Sequence, residues 1–115
     1  MARQTAENSS GNQDPVAREF AATMRERLGP SVRKILLFGS RARGDARDDS
    51  DYDMLVVVDH RTPELRSTII EIETQLMDRY GALVATVLRS EEEWQRTQGF
   101  PLARNIAREG ILLEG

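Results

Sequence analysis

Apolar residues recur along the chain at two spacings, and the spacing separates helices from strands. In residues 14–28 an apolar side chain returns at every fourth position, and the segment opens with Asp-Pro and is followed by Gly-Pro. This pattern predicts an amphipathic helix with one buried face. Residues 62–80 show helical spacing again, begin with Thr-Pro and precede a glycine, so they predict a second helix.

Shorter apolar runs predict strands. Runs that are aliphatic, short and bounded by turn-forming residues are typical of buried strands. Three runs have these properties: residues 32–38, 52–58 and 82–88. Because strands and helices alternate, the chain predicts an α/β fold of the α+β kind, a small mixed β-sheet with helices packed against it.

The C-terminal third predicts two more helices. Ser90 and Glu93 have the spacing of a capping box, which marks the start of a short helix. Pro101 begins a further helix over about residues 102–109, and Gly110 ends it. Residues 111–113 either add an edge strand or pack on the sheet.

Length and composition are those of one compact unit. A chain of 115 residues corresponds to a single domain. Residues 1–13 are polar and lack any periodic apolar pattern, so we expect a disordered tail there and a single domain over residues 14–115.

Charge and cysteine content narrow the classes of function. The net charge of −3 argues against an extended nucleic-acid surface, which is usually strongly basic. The absence of cysteine excludes disulfides and thiolate metal sites. No apolar stretch approaches the roughly 20 residues that span a bilayer, and the N-terminus lacks a signal-peptide core. We therefore expect no membrane partner and a cytoplasmic location.

Residues 39–53 carry most of the candidate chemistry. They lie between the first two predicted strands and end with Asp51, Tyr52 and Asp53. Side chains two positions apart on a strand leave the same face, with Cα atoms roughly 7 Å apart. Asp51 and Asp53 could thus converge on a hard divalent cation such as Mg²⁺ while Tyr52 points away. The alternative is that both aspartates are solvated residues at the start of a strand.

A Gly-Ser turn opens the same segment and favours phosphate binding. After a buried strand, Gly39 and Ser40 can bring backbone N–H groups close to a phosphate. Arg41 and Arg43 could contact further phosphates, because a guanidinium pairs well with phosphate oxygens. The alternative for both arginines is pairing with the aspartates of their own loop.

The order of these residues resembles a known signature. Gly39-Ser40, ten intervening residues and the Asp51-x-Asp53 pair are similar to the motif of the DNA polymerase beta-like nucleotidyltransferase superfamily. Gly-Ser-Arg-Ala-Arg-Gly at residues 39–44 resembles the minimal nucleotidyltransferase branch of that superfamily. The resemblance extends over about residues 16–113 and implies the nucleotidyltransferase fold.

The resemblance also implies an activity, a cofactor and site residues. It implies transfer of a nucleoside monophosphate from a nucleoside triphosphate, expected to be ATP, to a protein or nucleic-acid acceptor, with Mg²⁺ or Mn²⁺ as the metal. The implied catalytic residues are Asp51, Asp53 and Ser40, the implied nucleotide-binding residues are Gly39, Ser40, Arg41 and Arg43, and the implied metal ligands are Asp51 and Asp53.

The chain departs from the family pattern at one position. Family members usually supply a third carboxylate from a later strand, and its expected place is near Ala85 and Thr86, where this sequence has no acid. Without it, the acceptor lacks its usual base and the second metal its anchor, although Asp51 and Asp53 could still bind the nucleotide-bearing metal.

Three interpretations of this departure are open. The first is an active transferase whose site is completed by another acid. The candidate acids are Asp45, Asp48, Asp49, Glu91, Glu92, Glu93 and a residue of a partner. The second is a binding module that keeps a nucleotide or metal pocket without turnover and acts through a partner protein. The third is a purely structural descendant.

The resemblance further implies a partner. Minimal nucleotidyltransferases often resemble the antitoxin half of a two-component system, paired with a small helical protein of the HEPN ribonuclease-like type. A chain of 115 residues has little room for acceptor recognition, so we expect a partner or a homo-oligomer to supply it. Leu112 and Leu113 are candidates for that contact, or they finish the core.

Overall fold

A computed structural model describes residues 14–113 of the chain, and the predicted disordered tail at residues 1–13 lies outside this range. The helices are α1 (Pro15–Leu28), α2 (Ser40–Arg43), α3 (Pro63–Tyr80), α4 (Glu91–Arg96) and α5 (Pro101–Glu109), with a 3₁₀ turn at Gly29–Ser31. The strands are β1 (Val32–Phe38), β2 (Tyr52–Val58), β3 (Val84–Ser90) and β4 (Ile111–Leu112).

The sequence patterns predicted most of these elements. The two longest helices begin where Asp-Pro and Thr-Pro predicted, and Asp14 and Thr62 cap them by accepting hydrogen bonds from first-turn N–H groups. The third strand is shifted from the predicted 82–88, because its polar last residues, Arg89 and Ser90, still pair with β2. Residues 39–50, predicted as a loop, contain the short helix α2.

The four strands form one mixed sheet in the order β3-β2-β1-β4. β1 runs antiparallel to both β2 and β4, whereas β2 and β3 are parallel and are joined by α3 as the crossover helix. The predicted α+β fold with a small mixed sheet is therefore confirmed. The register places Asp53 between Phe38 of β1 and Ala85 of β3.

Helices cover both faces of the sheet. On the first face, buried side chains of α1 and α3, including Phe20, Met24 and Ile69, pack against Tyr52 and the other even-numbered residues of β2. On the second face, Ile106 of α5 packs against Leu55 and Val57, with Trp94 partly buried beside them. Asp53 lies on this second face, because alternate residues of a strand share a face.

The two leucines near the C-terminus have different environments. Leu113 is buried, and its N–H donates to the Ile35 carbonyl at 2.9 Å, so it finishes the core. Leu112 remains 47% exposed on the edge strand β4. Of these two leucines, only Leu112 is thus accessible to a partner. The expectation that Leu113 joins such a contact is wrong, because Leu113 is buried in the core. Over residues 14–113, no helix has the length and apolar character needed to cross a membrane.

Candidate active site

The candidate site lies where β1 ends and β2 begins, at the end of the antiparallel pair that residues 39–51 connect. Gly39 has a φ of 77° and a ψ of −159°, a region that essentially only glycine adopts. A Cβ on Gly39 would collide with Oδ2 of Asp53 and stand 3.1 Å from its Cγ. The carboxylate of Asp53 therefore lies directly against the glycine backbone, a close approach that only a residue without a Cβ permits.

Replacing Gly39 by alanine should disrupt both the fold and the site. The backbone strain costs about 1–3 kcal/mol, and displacing the Asp53 carboxylate adds about 1–3 kcal/mol of overpacking. Thermal unfolding of Gly39→Ala measures the sum. Gly44→Ala is the control, because Gly44 also has a positive φ but open space around it. Equal destabilisation by the two substitutions would contradict the contact with Asp53.

Ser40 follows the glycine and begins helix α2. The Gly39 carbonyl accepts hydrogen bonds from the N–H groups of Ala42 and Arg43, each at 3.0 Å. The first N–H groups of a helix have no partner within it, so those of Ser40 and Arg41 are available to an external acceptor. The turn thus brings backbone donors and the Asp53 carboxylate to one place.

The two aspartates are close enough to influence each other. Tyr52 between them is buried in the core of the first face, whereas Asp51 is exposed and Asp53 is half-buried. Burial raises the pKa of Asp53, and the negative charge of Asp51 raises it further. The pair therefore carries an unfavourable concentration of negative charge that a cation would relieve.

These two carboxylates suit one divalent ion better than two. Mg²⁺ and Mn²⁺ prefer oxygen ligands, and Mg²⁺ commonly takes one or two carboxylates and completes its coordination with waters and substrate phosphates. Within residues 14–113, however, no three His, Cys, Asp or Glu side chains are grouped so as to hold a metal ion. Among residues 14–113, the geometry is thus compatible with one ion held by two carboxylates and groups no third such ligand with them.

The structure shows the position that a third carboxylate would occupy. Ala85 pairs with Asp53 across the parallel strands, so its side chain lies on the same face, and it is exposed. Thr86 points to the other face and donates to Glu73 at 2.6 Å. Ala85 is therefore the position at which an acid would stand beside Asp53.

Glu91, Glu92 and Glu93 cannot fill that position. They follow β3, whereas Ala85 is near its start, and five residues of strand separate Ala85 from Ser90 by about 17 Å. Glu93 forms the capping box with Ser90, at 2.8 and 3.1 Å, and pairs with Arg61 at 2.8 Å. The expectation that these glutamates complete the site is wrong, because they lie at the opposite end of the sheet.

The two arginines of the turn have different partners. Arg43 pairs with Asp45 at 3.3 Å, as the alternative from the sequence proposed, and with Glu109 at 3.3 Å. Its positive charge lowers the pKa of Asp53 and so offsets part of the effect of burial and of Asp51. Arg41 instead donates hydrogen bonds to backbone carbonyls of residues 48 and 50.

Sequence patterns did not indicate Glu109 as a site residue. Its side chain is 18% exposed, and its Oε2 accepts a hydrogen bond from the Gly39 N–H at 3.1 Å. It also pairs with Arg43, and its charge contributes to the raised pKa of Asp53. Glu109 thus joins the end of α5 to the Gly-Ser turn. The sequence showed it only as the last residue of a helix.

Comparisons with known proteins show the family to which the chain belongs. A family model described as the nucleotidyltransferase domain matches residues 17–113. A protein of Methanocaldococcus jannaschii, provisionally named a protein adenylyltransferase, is 31% identical over 102 residues, which is 89% of this chain and 98% of the relative. The protein adenylyltransferase MntA of Thermococcus cleftensis is 42% identical over 67 residues, 58% of this chain and 64% of the relative.

Solved structures show the same fold. A toxin–antitoxin structure with AMP-PNP aligns with a TM-score of 0.59 and 23% identity, covering 84% of this chain and 71% of its own. A complex of tri-AMPylated HEPN toxin with MNT antitoxin from Shewanella oneidensis aligns with a TM-score of 0.51 and 21% identity, covering 82% of this chain and 66% of its own. The extent of the family match and the length over which the archaeal relative aligns confirm the resemblance. This chain belongs to the nucleotidyltransferase domain family.

Proposed function

We propose that this chain is a metal-dependent protein adenylyltransferase that transfers AMP from ATP to a HEPN-type partner and thereby acts as an antitoxin. The observation that carries the proposal is the Asp53 carboxylate lying against Gly39, with Asp51 beside it, at a turn that offers backbone donors. The names of the relatives support AMP as the transferred group and protein as the acceptor. The AMPylated HEPN toxin in a similar complex supports the class of partner.

In the proposed reaction, an acceptor hydroxyl oxygen forms a bond to the α-phosphorus of ATP. The bond from that phosphorus to the oxygen bridging to the β-phosphate breaks, pyrophosphate leaves, and the hydroxyl proton passes to a base. Ser40 would hold a phosphate through its N–H group, and Gly39, whose own N–H donates to Glu109, would allow the backbone to approach closely. Arg43 would add positive charge. Asp51 and Asp53 would hold Mg²⁺ or Mn²⁺, which when bound neutralises negative charge on the phosphates.

The proposed reaction needs a base for the proton of the acceptor hydroxyl, and this is the role for which the described residues offer least. Ala85 stands where an acid would face Asp53, and the exposed Asp45 is paired with Arg43. We therefore propose that the bound partner supplies the group that takes the acceptor proton. The same observation at Ala85 favours the second candidate function, a nucleotide-binding module that masks its partner without turnover.

Co-purification of the chain from its native host, followed by incubation with ATP and Mg²⁺, tests the two functions together. The transferase should add the mass of AMP to the co-purified protein, and the addition should require the metal. Intact-mass measurement and labelled ATP report it, and the Asp53→Asn chain is the negative control. A partner that stays unmodified while ATP binds in a metal-dependent manner would support the binding module instead.

A further inference from the structure

Arg41 forms several contacts with the segment that precedes Asp51. Its Nε and Nη2 donate to the Ser50 carbonyl at 3.2 and 2.9 Å, and Nη2 also donates to the Asp48 carbonyl at 3.1 Å. Its Cζ lies 4.3 Å from the centroid of the Tyr52 ring, within the range of a cation–π contact. One guanidinium thus bridges the end of the loop and the first residue of β2.

The aromatic ring under Arg41 is fixed in place. Tyr52 is 5% exposed, and its hydroxyl donates to Oδ2 of Asp14 at 2.9 Å. Oδ1 of the same Asp14 caps α1 by accepting from Val16 and Ala17. Burial and the Asp14 carboxylate raise the pKa of Tyr52 to about 12, so the hydroxyl stays protonated and keeps this bond. Arg41 therefore packs on a surface anchored to the N-terminus of α1.

Arg41 and Arg43 act on different faces of β2. Tyr52 belongs to the first face of the sheet and Asp53 to the second, because neighbouring residues of a strand point in opposite directions. The charge of Arg41 lowers the pKa of Tyr52, whereas the charge of Arg43 lowers that of Asp53. Arg43 thus lies on the side of the carboxylates, and Arg41 on the side of the core.

The loop between α2 and β2 is held at each end and, in its last part, by Arg41. Next to α2 the Asp45 N–H donates to the Ser40 carbonyl at 3.2 Å, and just after Asp51 the Tyr52 N–H donates to the Leu83 carbonyl at 2.9 Å. Among the hydrogen bonds of the described residues, the Ser50 N–H donates to the Arg47 carbonyl at 3.0 Å and the Arg47 N–H donates to Ser50 Oγ at 2.8 Å. These two bonds lie within the turn at residues 47–50 and do not connect it to another element. The bonds from Arg41 connect this turn to the rest of the fold one residue before Asp51.

We propose that Arg41 is a positioning residue that holds the loop at Ser50 and so places the Asp51 carboxylate beside Asp53, and that it does not contact a nucleotide phosphate. The proposal rests on the proposed function in one respect, since it assigns Asp51 to the metal that accompanies ATP. It departs from the phosphate-binding role that the family resemblance implied for Arg41.

Hydrogen exchange tests the structural part of the proposal without reference to activity. In the Arg41→Ala chain, the Ser50 amide should exchange about tenfold faster than in the unaltered chain, because hydrogen bonds from a charged group are among the stronger ones. Arg47→Ala is the matched control, because it removes the same charge from the loop that follows α2. Unchanged exchange at Ser50 would overturn the proposal, whatever the function of the chain.

ATP affinity, measured in EDTA and in Mn²⁺, tests the consequence for the site. Arg41→Ala should leave the affinity in EDTA unchanged and reduce the strengthening by Mn²⁺ about tenfold. In an Asp51→Asn chain, Arg41→Ala should have no further effect, because the side chain that it positions is no longer a ligand. A loss of affinity in EDTA as large as that in Mn²⁺ would indicate phosphate contact and overturn the proposal. If Mn²⁺ fails to strengthen ATP binding by the unaltered chain, the proposed function fails, and the exchange measurement still decides the role of Arg41.

Discussion

Replacing either Asp51 or Asp53 by asparagine should abolish metal-dependent ATP binding while the chain stays folded. Removal of a metal ligand should weaken binding by more than about 100-fold. Loss of a group that merely hydrogen-bonds to a metal ligand already lowers metal affinity about 10–100-fold. Calorimetric titration with ATP in Mg²⁺ and in EDTA measures this. Asp78→Asn is the control that changes the same charge at an exposed position of α3, the helix that covers the opposite face of the sheet from Asp53.

The stability of Asp53→Asn should show the origin of the raised pKa. A carboxyl group whose pKa is higher in the folded chain than in the unfolded chain favours folding fully below its unfolded pKa, and this contribution is lost as the pH rises through the folded pKa. Asparagine has nearly the same shape and no charge. At pH 7 the variant should thus melt slightly higher, by about 1–3 °C after allowance for the exposure of the group.

The pH dependence separates this explanation from a simple change in packing. The advantage of Asp53→Asn should vanish as the pH falls below about 3, because Asp53 of the unaltered chain is then protonated in both the folded and the unfolded state. A gain that persists at low pH would mean that the side-chain amide itself improves the fold.

Unchanged ATP binding in both asparagine variants would remove the basis for a metal site at these carboxylates.

The fold was predictable because its signals are local. Asp14 and Thr62 cap the two long helices through bonds to residues two or three positions away, so a short window of sequence contains the whole signal. The limits of β3 were less predictable, because Arg89 and Ser90 are polar and are held in the strand only by pairing with β2. The same holds for Leu113, whose burial depends on Ile35 of a distant strand.

The site was predictable only as far as the motif reaches. The sequence placed Gly39 and Asp53 in one motif between two strands, but their direct contact depends on how β1 pairs with β2 and was not predicted. Glu109 is 70 residues from Gly39, and only the packing of α5 on the second face brings them together. The position of Arg41 depends on its contact with the Tyr52 ring. The alternation of side chains along a strand predicted that this ring points away from the carboxylates, but it did not indicate that the side chain of Arg41 would pack on the ring.

Replacing Ala85 by aspartate should increase AMP transfer, because it supplies the acid that family members usually have and that this chain lacks at this position. Parallel neighbouring strands lie about 4.8 Å apart, so a side chain at position 85 stands beside Asp53 on the same face. A positioned general base typically contributes about 10²–10⁴-fold, and we expect a gain near the lower limit because the loop and partner are not adapted to it. The transfer rate to the co-purified partner, measured with labelled ATP, reports the change.

Two measurements make the result at Ala85 interpretable. Ala85→Asn matches the new side chain in size without its charge, so a gain shared by both variants would reflect packing and contradict the role of an acid. A third carboxylate beside Asp51 and Asp53 increases repulsion in the metal-free site, so Ala85→Asp should lower the melting temperature in EDTA and recover it in Mg²⁺. If the metal restores stability and yet transfer does not rise, the missing acid is not what limits this chain, and the proton of the acceptor must leave through a group of the partner.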